Sequence, residues 1–102
     1  MKRCSVGLRQ EARLDIKEIH AWYEKQRKGL GGAFRSELEA KIALLRRFPK
    51  IGLLIQENVR RVLLKRFPYI IVYRFLSGKV IIEGVFHAHR DPKVWWERIV
   101  DT

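Results

Sequence analysis

The spacing of apolar residues changes along this chain, and each change marks a new element. Cys4, Val6 and Leu8 alternate with polar neighbours, which predicts a half-buried strand over Lys2–Leu8. From Gln10 to Lys28, Ala12, Ile16, Ile19 and Tyr23 recur at i, i+4, i+7 and i+11, the signature of one helical face. Asp15, Lys17, Glu18, Glu24 and Lys25 fall mostly off that stripe. The Gly29-Leu-Gly-Gly32 segment predicts a helix stop, because glycine accepts the left-handed backbone at a helix end. Phe34, Leu38, Ile42 and Leu45 repeat the same face over a second helix, Ala33–Arg47, which Pro49 ends. Two amphipathic helices joined this closely form an antiparallel hairpin.

Beyond Gly52 the period falls to two. Val59–Arg66, Tyr69–Leu76 and Lys79–Phe86 read as strands, separated by Phe67-Pro68 and Ser77-Gly78. In the middle one, Tyr69, Ile71, Tyr73 and Phe75 share one face, and Ile70, Val72, Arg74 and Leu76 share the other. Both faces are largely apolar, so this strand is expected at the sheet centre, covered on both sides. Asp91-Pro92 supplies an N-cap and a first-turn proline for a short helix ending near Val100. The expectation is a single α+β domain over residues 1–102 in the order β-α-α-β-β-β-α. Its helical hairpin packs on one face of a small, mainly antiparallel four-stranded sheet. Less chain is left to cover the other face, so that face is expected to be bare and functional.

Composition narrows the class. A chain of 102 residues with 47% hydrophobic and 32% charged residues fits a folded soluble domain rather than a disordered one. The stretch Tyr69–Tyr73 is far shorter than the roughly 20 residues a membrane helix needs, and the opening residues lack a signal-peptide core. No membrane association is expected, and the expected compartment is cytoplasmic. A lone Cys4 excludes an internal disulfide; it reads as buried filler rather than a nucleophile. With His20, His87 and His89 it makes no zinc pattern, and neither metal nor cofactor is expected. Twenty-two Lys and Arg against eleven Asp and Glu leave a net charge of +11, with a pI near 10.4. Such a surface favours a polyanion or an acidic protein partner.

Six basic residues and no acidic one lie between Asn58 and Ile82: Arg60, Arg61, Lys65, Arg66, Arg74 and Lys79. A flat strand would point Arg61 and Lys65 one way and Arg60 and Arg66 the other, with Arg74 nearby. They are candidates for target binding; a solvated edge strand is the plainer reading. His87-Ala-His89-Arg90-Asp91 follows the last strand directly. A histidine there suits general acid–base work near neutral pH, and Arg90 suits a phosphate-like charge. Asp91 is more simply a helix cap. Trp95 and Trp96 are adjacent on the last helix, so one packs inward and the other stays near the surface as a contact residue. Trp22 and Tyr23 read as packing or as an edge contact with the second helix.

With these residues placed, the chain resembles the RelE/ParE superfamily of toxins from bacterial type II toxin–antitoxin modules, a group that includes plasmid stabilisation proteins. The resemblance runs through Ala12-x-x-Asp15-Ile16-x-x-Ile19-x-x-Trp22-Tyr23 and the Phe34, Leu38, Ile42, Leu45 helix. It is most specific in Arg60-Arg61-Val-Leu-Leu-Lys65-Arg66-Phe67-Pro68-Tyr69 through Tyr73-Arg74, then Ile81 to Pro92. The resemblance implies a growth inhibitor neutralised by a cognate acidic antitoxin. It also implies one of two targets. RelE-like members cleave messenger RNA on the ribosome, using a basic cluster on the sheet; ParE-like members poison DNA gyrase. Arg61 and Arg90 stand where the nuclease branch carries basic residues. Leu63 and Ile70 replace further basic residues of that branch, and Trp95-Trp96 occupies the region of its C-terminal tyrosine. This pattern leans towards a gyrase poison, which need not be an enzyme. His87, His89 and Arg90 are the catalytic candidates if the chain is a nuclease, and a non-toxic basic RNA-binding or adaptor module is a third reading.

Overall fold

The computed structural model describes residues 3–100. Strand β1 (Ser5–Leu8) leads into helices α1 (Gln10–Gln26) and α2 (Leu30–Arg47). Strands β2 (Leu53–Gln56), β3 (Val59–Leu63), β4 (Tyr69–Leu76) and β5 (Lys79–His87) follow, then helix α3 (Lys93–Val100). The sheet has five strands in the order β1-β5-β4-β3-β2. It is mixed, because β1 runs parallel to β5 while every other pairing is antiparallel.

This corrects the expected four-stranded sheet. The missed strand, β2, is the apolar run Leu53-Leu54-Ile55, which carries no alternation for periodicity to detect. It is a sheet edge with a register irregularity between Leu54 and Gln56, and Leu53 and Leu54 are both half-exposed or more. Its identity as a strand rests on the backbone of β3 beside it. The strand expected over Val59–Arg66 ends at Leu63, and Lys65 and Arg66 lie in the turn that follows. Lys2, the start of the first expected strand, lies outside the described residues.

The helical hairpin covers one sheet face as expected. Ala12, Ile16 and Ile19 of α1 and Phe34, Leu38 and Leu45 of α2 are buried against Ile71, Tyr73, Val80, Ile82 and Val85. Cys4 is half-buried at the rim of this core, as its stripe suggested. Tyr73 is fully buried, yet its hydroxyl is satisfied: it donates to the Pro49 carbonyl at 2.7 Å and accepts the Gly52 N–H at 3.0 Å. Burial still pushes its titration above the usual tyrosine range.

The glycine segment does more than stop α1. Gly29 is left-handed at φ 90°, but Leu30, Gly31 and Gly32 already belong to α2, which starts three residues earlier than the apolar pattern indicates. The Glu24 carboxylate accepts the N–H groups of Gly29 (3.0 Å) and Gly31 (2.9 Å), which holds its pKa below the usual carboxylate range. Those bonds replace the cap that Gly29 cannot supply. Gly31 also lets the helices touch, since a Cβ there would sit 2.6 Å from the His20 carbonyl oxygen, a backbone atom that cannot swing aside. Gly31→Ala is therefore expected to destabilise the fold by about 1–2 kcal/mol. The overpacking penalty outweighs the roughly 1 kcal/mol of helix propensity that alanine gains. A lowered urea midpoint at unchanged m-value checks this.

Candidate functional site

The basic residues that the sequence groups between Asn58 and Ile82 do not converge. Arg60 turns to the hairpin side, where its guanidinium donates to the carbonyls of Lys50 (3.1 Å) and Gly52 (2.9 Å). Arg61 points to the other face. The backbone N–H groups of Lys65 and Arg66 are held by the Glu37 carboxylate of α2, and the Arg66 guanidinium lies 5.7 Å from the centre of the Phe67 ring. Arg74 is already neutralised. Its Nε donates to Glu83 at 2.9 Å, and a second nitrogen donates to the Ile99 carbonyl at 3.1 Å. Glu83 is 1% exposed and also accepts from Arg9 at 3.2 Å, so one buried carboxylate links the end of β1, β4 and β5. The carboxylate that compensates Arg74 is Glu83, nine residues on and across the β4–β5 pairing, while Glu37 serves the backbone of the turn after β3.

The face opposite the hairpin is not bare either. Trp95 and Ile99 of α3 are buried against Val59, Ile70, Val72 and Phe86, and Trp96 stays half-buried at the margin. The Asp91 carboxylate caps the helix by accepting the Lys93 N–H at 3.0 Å. Arg98 anchors its far end. The guanidinium stacks 4.5 Å from the centre of the Phe86 ring and reaches Asp15 of α1, which also accepts the Val85 N–H at 3.0 Å. Gly84 opens the way, because a Cβ there would lie 2.5 Å from the Arg98 guanidinium. Sequence reading missed Glu83, Asp15 and Arg98 as a set. The one local signal was Glu83 itself, a lone acid in an otherwise apolar strand.

Helix α3 leaves an open depression of about 390 Å³ lined by Leu53, Arg61, Leu63, Ile70 and Ala88. Leu53 is 62% exposed and Leu63 56%, so this surface is apolar around a single guanidinium. His87 faces the hairpin side instead, with its ring centre 5.2 Å from that of Tyr69. Its Nδ1 accepts the His89 N–H at 3.1 Å, which places the ring proton on Nε2. The His89 ring lies 5.5 Å from that of His87, and the turn from His87 to Arg90 closes through a backbone bond of 3.1 Å. His87, His89 and Arg90 are thus brought together, across the sheet from Arg61. Among the described residues no group of three His, Cys, Asp or Glu side chains could hold a metal. No helix of the described residues is long and apolar enough to cross a membrane.

A helical hairpin on one face of this sheet, with a short C-terminal helix on the other, defines the α+β fold shared by RelE and ParE toxins. The sequence matches the family described as ParE toxin of type II toxin-antitoxin system, parDE, over residues 6–92, and the chain belongs to that family. It is the toxin of a type II toxin–antitoxin module, so the reading as a non-toxic adaptor falls away. Solved structures share its fold at low identity. A chain of the chromosomal ParDE system of P. aeruginosa is 15% identical with a TM-score of 0.75, covering 85% of this chain and 98% of that one. A mutant of the E. coli toxin RelE in the free state is 16% identical with a TM-score of 0.74, covering 97% and 96%. A chain of the M. tuberculosis RelBE2 toxin-antitoxin complex is 20% identical with a TM-score of 0.58, covering 83% and 98%. No curated protein sequence matches this chain.

Replacing Glu83 by glutamine leaves two guanidinium groups facing a neutral amide in a buried site. Glu83→Gln is expected to lose about 3 kcal/mol of stability, near the lower end for breaking a buried pair because both arginines are partly hydrated. Chemical denaturation of the variant measures this, and a loss below about 1 kcal/mol is the contrary result.

Proposed function

We propose that this toxin acts by binding a protein target, DNA gyrase, and that a cognate acidic antitoxin neutralises it. One observation carries the reading. The sheet face on which a nuclease of this fold would need converging cations instead presents Leu53, Leu63, Ile70 and Ala88 around Arg61 alone. Phosphoryl chemistry depends on several positioned charges and a proton carrier. A lone arginine set among exposed apolar side chains has the composition of a protein-binding hot spot. Trp96, half-buried on α3, adds a second apolar contact candidate beside Asp91, Pro92 and Lys93. The net charge of +11 suits an acidic, extended antitoxin segment that orders on binding. The ParDE and RelBE complexes among the structural neighbours support such a partner.

A second reading, ribosome-dependent cleavage of messenger RNA, is favoured by the clustering of His87, His89 and Arg90. The two separate by experiment. Purified toxin is expected to inhibit gyrase supercoiling, with Arg61→Ala weakening inhibition on the order of tenfold and the His87→Ala/His89→Ala pair leaving it intact. Intact supercoiling in excess toxin, together with A-site cleavage of ribosome-bound message that His89→Ala abolishes, establishes the nuclease instead.

A further inference from the structure

Strand β2 is a free edge of the sheet, and it lacks most of the usual guards against edge-to-edge pairing. No charge and no proline stand in Leu53-Leu54-Ile55. Leu53 lies beside Arg61 on one face and Leu54 beside Arg60 on the other, and both leucines are exposed. Ile51, just before the strand, is exposed as well. The other edge, β1, is different: Val6 and Leu8 pack against the core, and the exposed positions are Ser5 and Gly7. A charge stands at each end of β2. Lys50 precedes it and Glu57 follows it, both exposed, and neither forms an ion pair among the described residues. Glu57 is the one acidic residue between Glu39 and Glu83, and it stands in the turn to β3 at φ 37°.

Reversed end to end, this segment complements itself. An antiparallel pairing with a second copy, centred on Leu54, sets Leu54 against Leu54 and Leu53 against Ile55. The same pairing brings Glu57 of each copy to Ile51 and Lys50 of the other, so opposite charges meet at both ends. We propose that the toxin pairs with a second copy of itself through antiparallel β2 edges, joining two five-stranded sheets into one. An acidic partner strand fits this edge less well, since it gains Lys50 but meets Glu57 with like charge. The contact is short, and a net charge of +11 on each copy opposes it. The dimer is therefore weak, and added salt strengthens it by screening that repulsion. The two-fold axis stands perpendicular to the sheet, so both Arg61 depressions open to the same side, with Ile55 of the second copy next to Leu53 of the first. The dimer does not depend on what those depressions bind.

Sedimentation equilibrium of the full-length toxin over a concentration series tests it. Self-association is expected, tightening severalfold between about 0.1 and 0.5 M NaCl. Leu54→Lys sets two ammonium groups against each other at the centre of the pairing and is expected to weaken association on the order of tenfold. Leu54 is exposed, so the far-UV circular dichroism of that variant should match the native chain. Lys50→Glu lowers the net charge by two, which by charge alone favours association, yet beside Glu57 it is expected to weaken association severalfold. Glu57→Lys is expected to do the same, and the Lys50→Glu/Glu57→Lys pair to recover most of the native affinity. Lys79→Glu makes the same charge change where β5 meets β1 and is expected not to weaken association. A toxin that stays monomeric up to about 1 mM in about 0.5 M NaCl overturns the proposal. So does a charge-swapped pair that associates no better than the single variants, or a Leu54→Lys variant that associates like the native chain. Association that weakens as salt is added overturns it too, because opposite charges rather than the apolar edge then drive it.

Discussion

Strand β4 is apolar on both faces, and a chain of 102 residues must keep water from both. Ile71 and Tyr73 are fully buried under the hairpin, and Val72, pointing the other way, is fully buried as well. Helices α1 and α2 supply enough apolar stripe for the first face. For the second, the eight residues of α3 supply Trp95 and Ile99. That shortfall shapes the molecule: one part of the second face is closed by Trp95 and Ile99, and the rest is the open apolar surface around Arg61.

Two ion-pair systems hold the small helix to the sheet. Burial of α3 alone, with Trp95 and Ile99 as its inward residues, is modest for a helix at a chain end. Arg74 bonds its last turn through the Ile99 carbonyl, and Arg98 ties it to Asp15 on the far side of the sheet. Glu83 makes the first of these tolerable, because an unpartnered guanidinium on the apolar side of β4 would be costly. Gly84 makes the second possible by leaving room beside β5. Charges that look like a ligand-binding surface in the linear sequence thus serve the fold. Among the described residues the ion-paired cations are Arg9, Arg74 and Arg98, and all three brace the sheet and its C-terminal helix.

The two faces differ in composition. The Arg61 side combines exposed leucines with one cation, a composition suited to protein. The His87 side combines aromatic rings with Arg90 and polar groups.

Apolar spacing determined the helical hairpin and the central position of β4, and local turn and capping chemistry determined the turn at Ser77-Gly78 and the cap at Asp91. Each depends on residues within one element or one turn, where spacing and backbone preference act directly. That one of Trp95 and Trp96 packs inward was legible for the same reason, and the fold makes Trp95 that one. Strand β2 was not, because an edge strand is defined by the neighbour it pairs with, and Leu53-Leu54-Ile55 carries no alternation. The parallel pairing of β1 with β5 joins Leu8 to Ile82, a separation no local pattern encodes. Which cations stay unpaired was also a tertiary decision. Arg74 and Glu83 stand nine residues apart on neighbouring strands, and Asp15 and Arg98 stand 83 apart on opposite faces of the sheet. Hydrophobic spacing is a short-range property of the chain, whereas charge compensation depends on distance in space, which only the folded sheet fixes.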